Sequence, residues 1–204
     1  MLTKLPRKFL PALAVGATLL FAGCGDDDDS SSGTRPAASG NPVDRAFVAD
    51  MIPHHESAVE MAKIAQDRGS SAFVTKLADD IVHTQNEEIS AMRAADERLK
   101  SAGIAVGSLG VEGHMMGPND IATLKTTKQF DREFMRMMIP HHEAAIPMSR
   151  AEIAKGDDAE LKQLAQEIIT AQQREIAAMR KELEKSGEAP TDDMDGEHGG
   201  DHSG

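Results

Sequence analysis

The chain contains the same six residues twice. Met51-Ile52-Pro53-His54-His55-Glu56 returns 87 positions later as Met138-Ile139-Pro140-His141-His142-Glu143, and the flanks match without a gap. Asp44-Arg45 aligns with Asp131-Arg132, Phe47 with Phe134, Met61 with Met148, Leu77-Ala78 with Leu164-Ala165, Ile81 with Ile168 and Gln85 with Gln172. Glu88-Ile89 and Ala91-Met92-Arg93 align with Glu175-Ile176 and Ala178-Met179-Arg180. An ungapped repeat of this length means one supersecondary unit used twice, so the fold must accommodate two copies of it.

That unit is a helical hairpin. Phe47, Met51, His54, Ala58, Met61 and Ala65 follow a four-three-four-three spacing, which lays them on one face of an amphipathic helix and turns the histidines inward with the methionines. Gly69-Ser70 breaks the pattern, and a second helix is predicted over residues 72–100 with Ala78, Ile81, Gln85, Glu88 and Met92 inside. The second copy places Phe134, Met138, His141, Ala145 and Met148 on one helix. After a break at Gly156-Asp157-Asp158, it places Leu164, Ile168, Gln172, Glu175 and Met179 on the next. Each hairpin leaves an apolar face uncovered, so the pair predicts an all-α four-helix bundle, with repeats at about residues 44–100 and 131–185 inside a domain of residues 43–185. With no Trp or Tyr, the core falls to Met, Leu, Ile and Ala, which are good helix formers. Residues 121–125 read as a short helix capped by Asn119 or Asp120.

Pro53 and Pro140 interrupt the two His-bearing helices. Each removes one backbone bond and frees the carbonyl of Ala49 or Arg136, so the helix is expected to kink or restart there, with the histidines in the first turn after the break. Proline as a simple helix start and proline as a device that re-aims the rings are both consistent with this position.

The ends of the chain set its expected compartment. Lys4, Arg7 and Lys8 precede an apolar run at residues 9–21 that is too short to span a bilayer and ends in Phe21-Ala22-Gly23-Cys24. This predicts a secretory signal at residues 1–23, and the Ala-Gly-Cys ending resembles a bacterial lipobox with Cys24 as the lipidated residue. Such a chain is anchored to the outer face of a cell membrane. Cys24 is the single cysteine, so no intramolecular disulfide is available. Residues 24–42, with four consecutive aspartates followed by Ser, Gly and Pro, read as a disordered tether, and the Gly- and Asp-rich residues 186–204 read as a disordered tail. Formal charge is −12 over the chain, which argues against nucleic acid and for cations as partners.

Imidazole nitrogen and thioether sulfur form a coherent ligand set for Cu(I) or Ag(I), whereas hard cations prefer carboxylates. Outside the cytoplasm, Met and His also replace the oxidation-prone Cys. Met51 and His55 are four residues apart, as are Met138 and His142, so each pair can face one ion; His54 with Met61 and His141 with Met148 share the same stripes at seven. His114-Met115-Met116 between the halves, and Met194, His198 and His202 in the tail, are candidate accessory ligands. Ligation requires neutral imidazole, so affinity is expected to fall below about pH 6.5. Against this, Met at helical spacing commonly fills a core, and Gln85, Glu88, Gln172 and Glu175 are natural partners for inward histidines in a purely structural polar network.

Enzyme patterns are incomplete. A symmetric di-iron site wants Glu-x-x-His on two helices, but Asp80-Ile81-Val82-His83 is matched by Glu167-Ile168-Ile169-Thr170. A His-Glu-x-x-His zinc motif fails at Val59 and Ile146, and Ser57 has Ala144 as its counterpart.

The doubled Met-Ile-Pro-His-His-Glu, each copy followed by Ala and Met and then by Leu-Ala, Ile, Gln, Glu-Ile and Met-Arg, resembles the bacterial domain of unknown function 305 family over about residues 44–185. The resemblance implies a ferritin-like helical bundle, commonly exported, with copper binding and copper tolerance associated with some members. By position it points to Met51, His54, His55, Met61, Met138, His141, His142 and Met148. His83 and Pro147 depart from the pattern. The sequence thus reads as a lipid-anchored, extracytoplasmic, non-enzymatic bundle that sequesters or delivers Cu(I) or a similar soft ion. A metal-free envelope interaction module and a ferritin-like oxidoreductase are the alternatives.

Overall fold

Asn41 starts the first helix with a capping box. Its side chain accepts from the Val43 and Asp44 backbone N–H groups, and the Asp44 carboxylate accepts in return from the Asn41 N–H. The computed structural model describes residues 40–111 and 118–187. Among them the regular elements are five helices: α1 (Pro42–Arg68), α2 (Ala72–Ser101), α3 (Pro118–Thr126), α4 (Phe130–Lys155) and α5 (Ala159–Lys185). None of the helices searched is long and apolar enough to cross a membrane. Cys24, with the signal and most of the tether, lies outside the described residues, as do His114, Met115, Met116, Met194, His198 and His202.

The hairpins are α1 with α2 and α4 with α5, and α1 packs against α4 at the centre while α2 and α5 touch only lightly. The stripes read from the sequence are the buried ones: Phe47, Met51, Ala58, Met61 and Ala65 on α1, and Phe134, Met138, Ala145 and Met148 on α4. They divide into two apolar clusters. Met51 and Met148 fall in one with Phe47, Met92 and Ile168; Met61 and Met138 fall in the other with Phe134, Met179 and Ile81. This pairing requires α1 and α4 to run antiparallel. The clusters are images of each other under the pseudo-two-fold axis that relates the repeats. The short helix α3 is longer than expected, starting at Pro118, and packs on α1 and α4 with Leu124 buried. Arg68 fastens it by donating to the carbonyls of Leu124 at 2.6 Å and Thr127 at 2.7 Å.

The prolines do not restart the helices. α1 runs unbroken through Pro53, and α4 runs through Pro140 and Pro147, so His54-His55 and His141-His142 sit mid-helix. An interior proline costs about 3 kcal/mol in isolation. Here the carbonyls it frees at Ala49 and Arg136 belong to exposed residues, on the side open to solvent, while both helices are gripped by neighbours along their buried faces.

A pair of aspartates clasps one hairpin to the other. Asp131, in the first turn of α4, accepts from the Ser70 N–H (2.9 Å), the Ser70 hydroxyl (2.8 Å) and the Ser71 N–H (2.7 Å) at the α1–α2 turn. Its repeat counterpart Asp44 accepts from the Asp157 N–H (3.1 Å) and Asp158 N–H (2.9 Å) at the α4–α5 turn. Each hairpin therefore ties down the turn that leads into the second helix of the other, beside a helix N-terminus where the amide dipoles favour a carboxylate.

Candidate metal centre

Between the two apolar clusters lies one polar layer. His54 and His55 from α1, Gln85 from α2, His141 and His142 from α4 and Gln172 from α5 are all buried, and none of the four imidazoles is more than 1% exposed. The rings form a row: His55 to His54 at 6.2 Å between centroids, His54 to His141 at 3.9 Å, His141 to His142 at 6.3 Å. His54 touches its own repeat counterpart, which is possible only on the pseudo-two-fold axis.

The outer rings are oriented by carboxylates. His55 Nε2 lies 2.9 Å from Glu88 Oε2, and His142 Nε2 lies 2.6 Å from Glu175 Oε2. A carboxylate accepts, so Nε2–H donates, and in the neutral ring the lone pair falls on Nδ1. His55 Nδ1 and His142 Nδ1 are buried with no hydrogen-bond partner among the described residues, as is Gln85 Oε1. An imidazole with one nitrogen held by a carboxylate and the other left with its lone pair is the arrangement that metal-ligating histidines adopt. Glu56–Arg93 and Glu143–Arg180 ion pairs, one per hairpin, brace the same turns from outside.

All eight residues predicted as ligands are buried. The fold groups the methionines across repeats, Met51 with Met148 and Met61 with Met138, so each of the two apolar clusters carries methionine from both halves. Met92 and Met179 join these groups and were read from the sequence only as core; their place in the Ala-Met-Arg repeat was the available signal. Among the described residues no three His, Cys, Asp or Glu side chains gather as a metal site. The donors that this layer and its flanking clusters offer are imidazole and thioether, a set that suits a soft monovalent cation.

A second buried group was not foreseen. Glu152, whose repeat counterpart is Ala65, is fully buried beside Asp44. Burial, hydrogen bonding with Asp44 and the negative charges of Asp44 and Asp158 push its carboxyl up to about 8, against a weaker pull from Lys162. Burial would raise Asp44 too, but hydrogen bonds from the Asp158 backbone, Glu152 and the Asn41 and Asp157 backbones outweigh it and hold it below the usual range. Gly156 makes room for the pair, since a Cβ there would collide with both carboxyls.

A family model described as a domain of unknown function, DUF305, matches residues 32–96 and 101–183. The chain belongs to this family. Among solved structures, it is similar to CopM in its Cu(I)-bound form, at 31% identity over 70% of this chain and 96% of that one, with a TM-score of 0.60. CopM is also known in Cu(II)-bound and Ag-bound forms. A DUF305 protein from Streptomyces coelicolor matches at 28% identity over 72% of this chain and 94% of that one, with a TM-score of 0.64. Among curated proteins, uncharacterized protein L153 of Acanthamoeba polyphaga mimivirus is 42% identical over 55 residues, 27% of this chain; the match spans little more than a third, 36%, of that relative's length. This chain is thus a DUF305 helical bundle with copper-associated relatives.

Proposed function

We propose that this DUF305 protein binds Cu(I), with Ag(I) as its analogue, in the layer of four imidazoles flanked by methionines, and that it sequesters or delivers the ion on the outer side of a membrane to which Cys24 anchors it. The observation that carries the reading is the orientation of His55 and His142. Each presents a buried Nδ1 lone pair while its Nε2 is held by a glutamate, next to sulfur-bearing clusters on either side. Support also comes from CopM, similar in fold and sequence and known with Cu(I), Cu(II) and Ag bound. Met51, His54, His55, Met61, Met138, His141, His142 and Met148 are the proposed ligand pool. His114, Met115, Met116, Met194, His198 and His202 are proposed capture residues on the segments outside the core.

Native mass spectrometry of the full chain with Cu(I) tests this. The wild type takes up at least one more ion than a variant with all four core histidines changed to alanine, checked as folded by circular dichroism. Equal uptake removes the imidazole layer from the site. The same Glu-paired histidines also favour a second reading, in which the layer only registers the two hairpins against each other. Equal uptake would leave that reading standing.

A further inference from the structure

An ion destined for the imidazole layer needs a path, because the four rings are sealed from solvent. The light contact between α2 and α5 leaves two adjoining grooves, of about 510 and 470 Å³. They are related by the repeat. Glu88 and Ala91 line the first, and their counterparts Glu175 and Ala178 line the second, with Thr84, Ala171 and Arg174 shared. Glu88 and Glu175 are the residues that hold His55 and His142, and their side chains keep 11% and 19% exposure while the rings behind them keep none. Each groove thus ends on a carboxylate backed by a buried imidazole.

The two grooves differ in charge. Glu87 and Glu167 join Glu88 in the first, against Arg174 alone. In the second, Glu175 is accompanied by Asp80, which Lys76 neutralises at 2.6 Å, and by His83 and Arg174. Acidic clefts concentrate cations and speed their capture, and the advantage is screened by salt.

We infer that the α2–α5 groove ending at Glu88 is the entry and exit port for the soft monovalent cation, with its carboxylates concentrating the ion and the Glu88 side chain swinging away from His55 to let it pass. The inference rests on the reading of the imidazole layer as an ion site. No covalent bond changes: the Glu88–His55 hydrogen bond opens and re-forms, the Nε2 proton stays on the ring, and the ion exchanges water for the nitrogen and sulfur donors inside.

The test uses the full chain loaded with Ag(I), challenged with excess thiol chelator, with loss of the ion followed through the His55 and His142 ring resonances. Ala91→Leu fills the Glu88 groove from an exposed helical position; Ala178→Leu makes the same change in its counterpart and serves as the matched control. Ala91→Leu slows release several-fold with unchanged affinity, Ala178→Leu slows it less, and added salt narrows the gap in uptake rate. Wild-type release from both variants, or the stronger effect from Ala178→Leu, overturns the assignment of the port. Ring resonances that do not respond to Ag(I) in the wild type instead overturn the site itself.

Discussion

His54 and His141 meet with their ring centroids 3.9 Å apart and their planes tilted by 35°, and each is the repeat counterpart of the other. A residue meets its own image only on a two-fold axis, so this contact marks the pseudo-symmetry axis of the bundle and fixes the register of α1 against α4. The His-His pair is therefore both the most repeated feature of the sequence and the point where the repeats join.

The carboxylates behind the outer rings are expected to matter equally in the two halves. Glu88→Ala and Glu175→Ala each leave a buried imidazole N–H without its acceptor, which costs about 1–3 kcal/mol. Chemical denaturation should give similar losses for the two, with Glu→Gln milder because an amide oxygen still accepts. Unchanged midpoints for both alanine variants would contradict the pairing.

Stability should fall as pH rises from 4.5 toward 8 through Glu152. Its folded carboxyl titrates near 8 against an ordinary 4.5, so the folded state holds the proton more tightly. The contribution is full below about 4.5 and lost as pH passes the folded value, on the order of 2–4 kcal/mol. Thermal melts across that range should show a decline that Glu152→Gln flattens. A wild type and variant with parallel profiles would rule this out.

The aspartate clasps act in the opposite direction. Burial would raise both Asp44 and Asp131, but backbone N–H donors, together with the Glu152 carboxyl at Asp44 and the Ser70 and Ser71 side chains at Asp131, outweigh it and hold both below the ordinary 3.8. Their contribution is present above that value and lost as pH falls through the lower folded one. Asp131→Ala should cost about 0.5–1.5 kcal/mol, as for loss of a typical intramolecular hydrogen bond. Asp44→Ala should cost at least as much, because it also leaves Glu152 without its partner. Equilibrium unfolding of the two variants at neutral pH checks the order.

The hairpins, their buried stripes and the His-Met layer were legible because each repeats a periodic signal within one helix. Phe47, Met51, His54, Ala58 and Met61 lie inside as the spacing predicts. What was not legible is what joins distant segments. The Asp44 clasp reaches the α4–α5 turn more than 100 residues away, and nothing local to Asp44 predicts that turn as its partner. Pro53 and Pro140 show the opposite case: a local rule predicts a kink or a restart, and the restart does not occur because α1 and α4 are held by packing along their length. Glu152 carries no repeat signal at all, since Ala65 occupies the equivalent place.

Replacing sulfur without replacing volume separates ligation from packing. Met51→Leu with Met148→Leu, or Met61→Leu with Met138→Leu, should change stability by less than about 1.5 kcal/mol each, since Leu fills a similar volume. Cu(I) affinity should nonetheless fall in at least one pair, measured by competition with a colorimetric chelator. Full affinity in both pairs would make these methionines core filler.

The most direct measurement is X-ray absorption at the copper edge on the full chain loaded with one equivalent of Cu(I). The account predicts a coordination shell containing both nitrogen and sulfur, with the imidazole signature absent when His54, His55, His141 and His142 are all alanine. A shell without sulfur, or the same spectrum from wild type and variant, would contradict it.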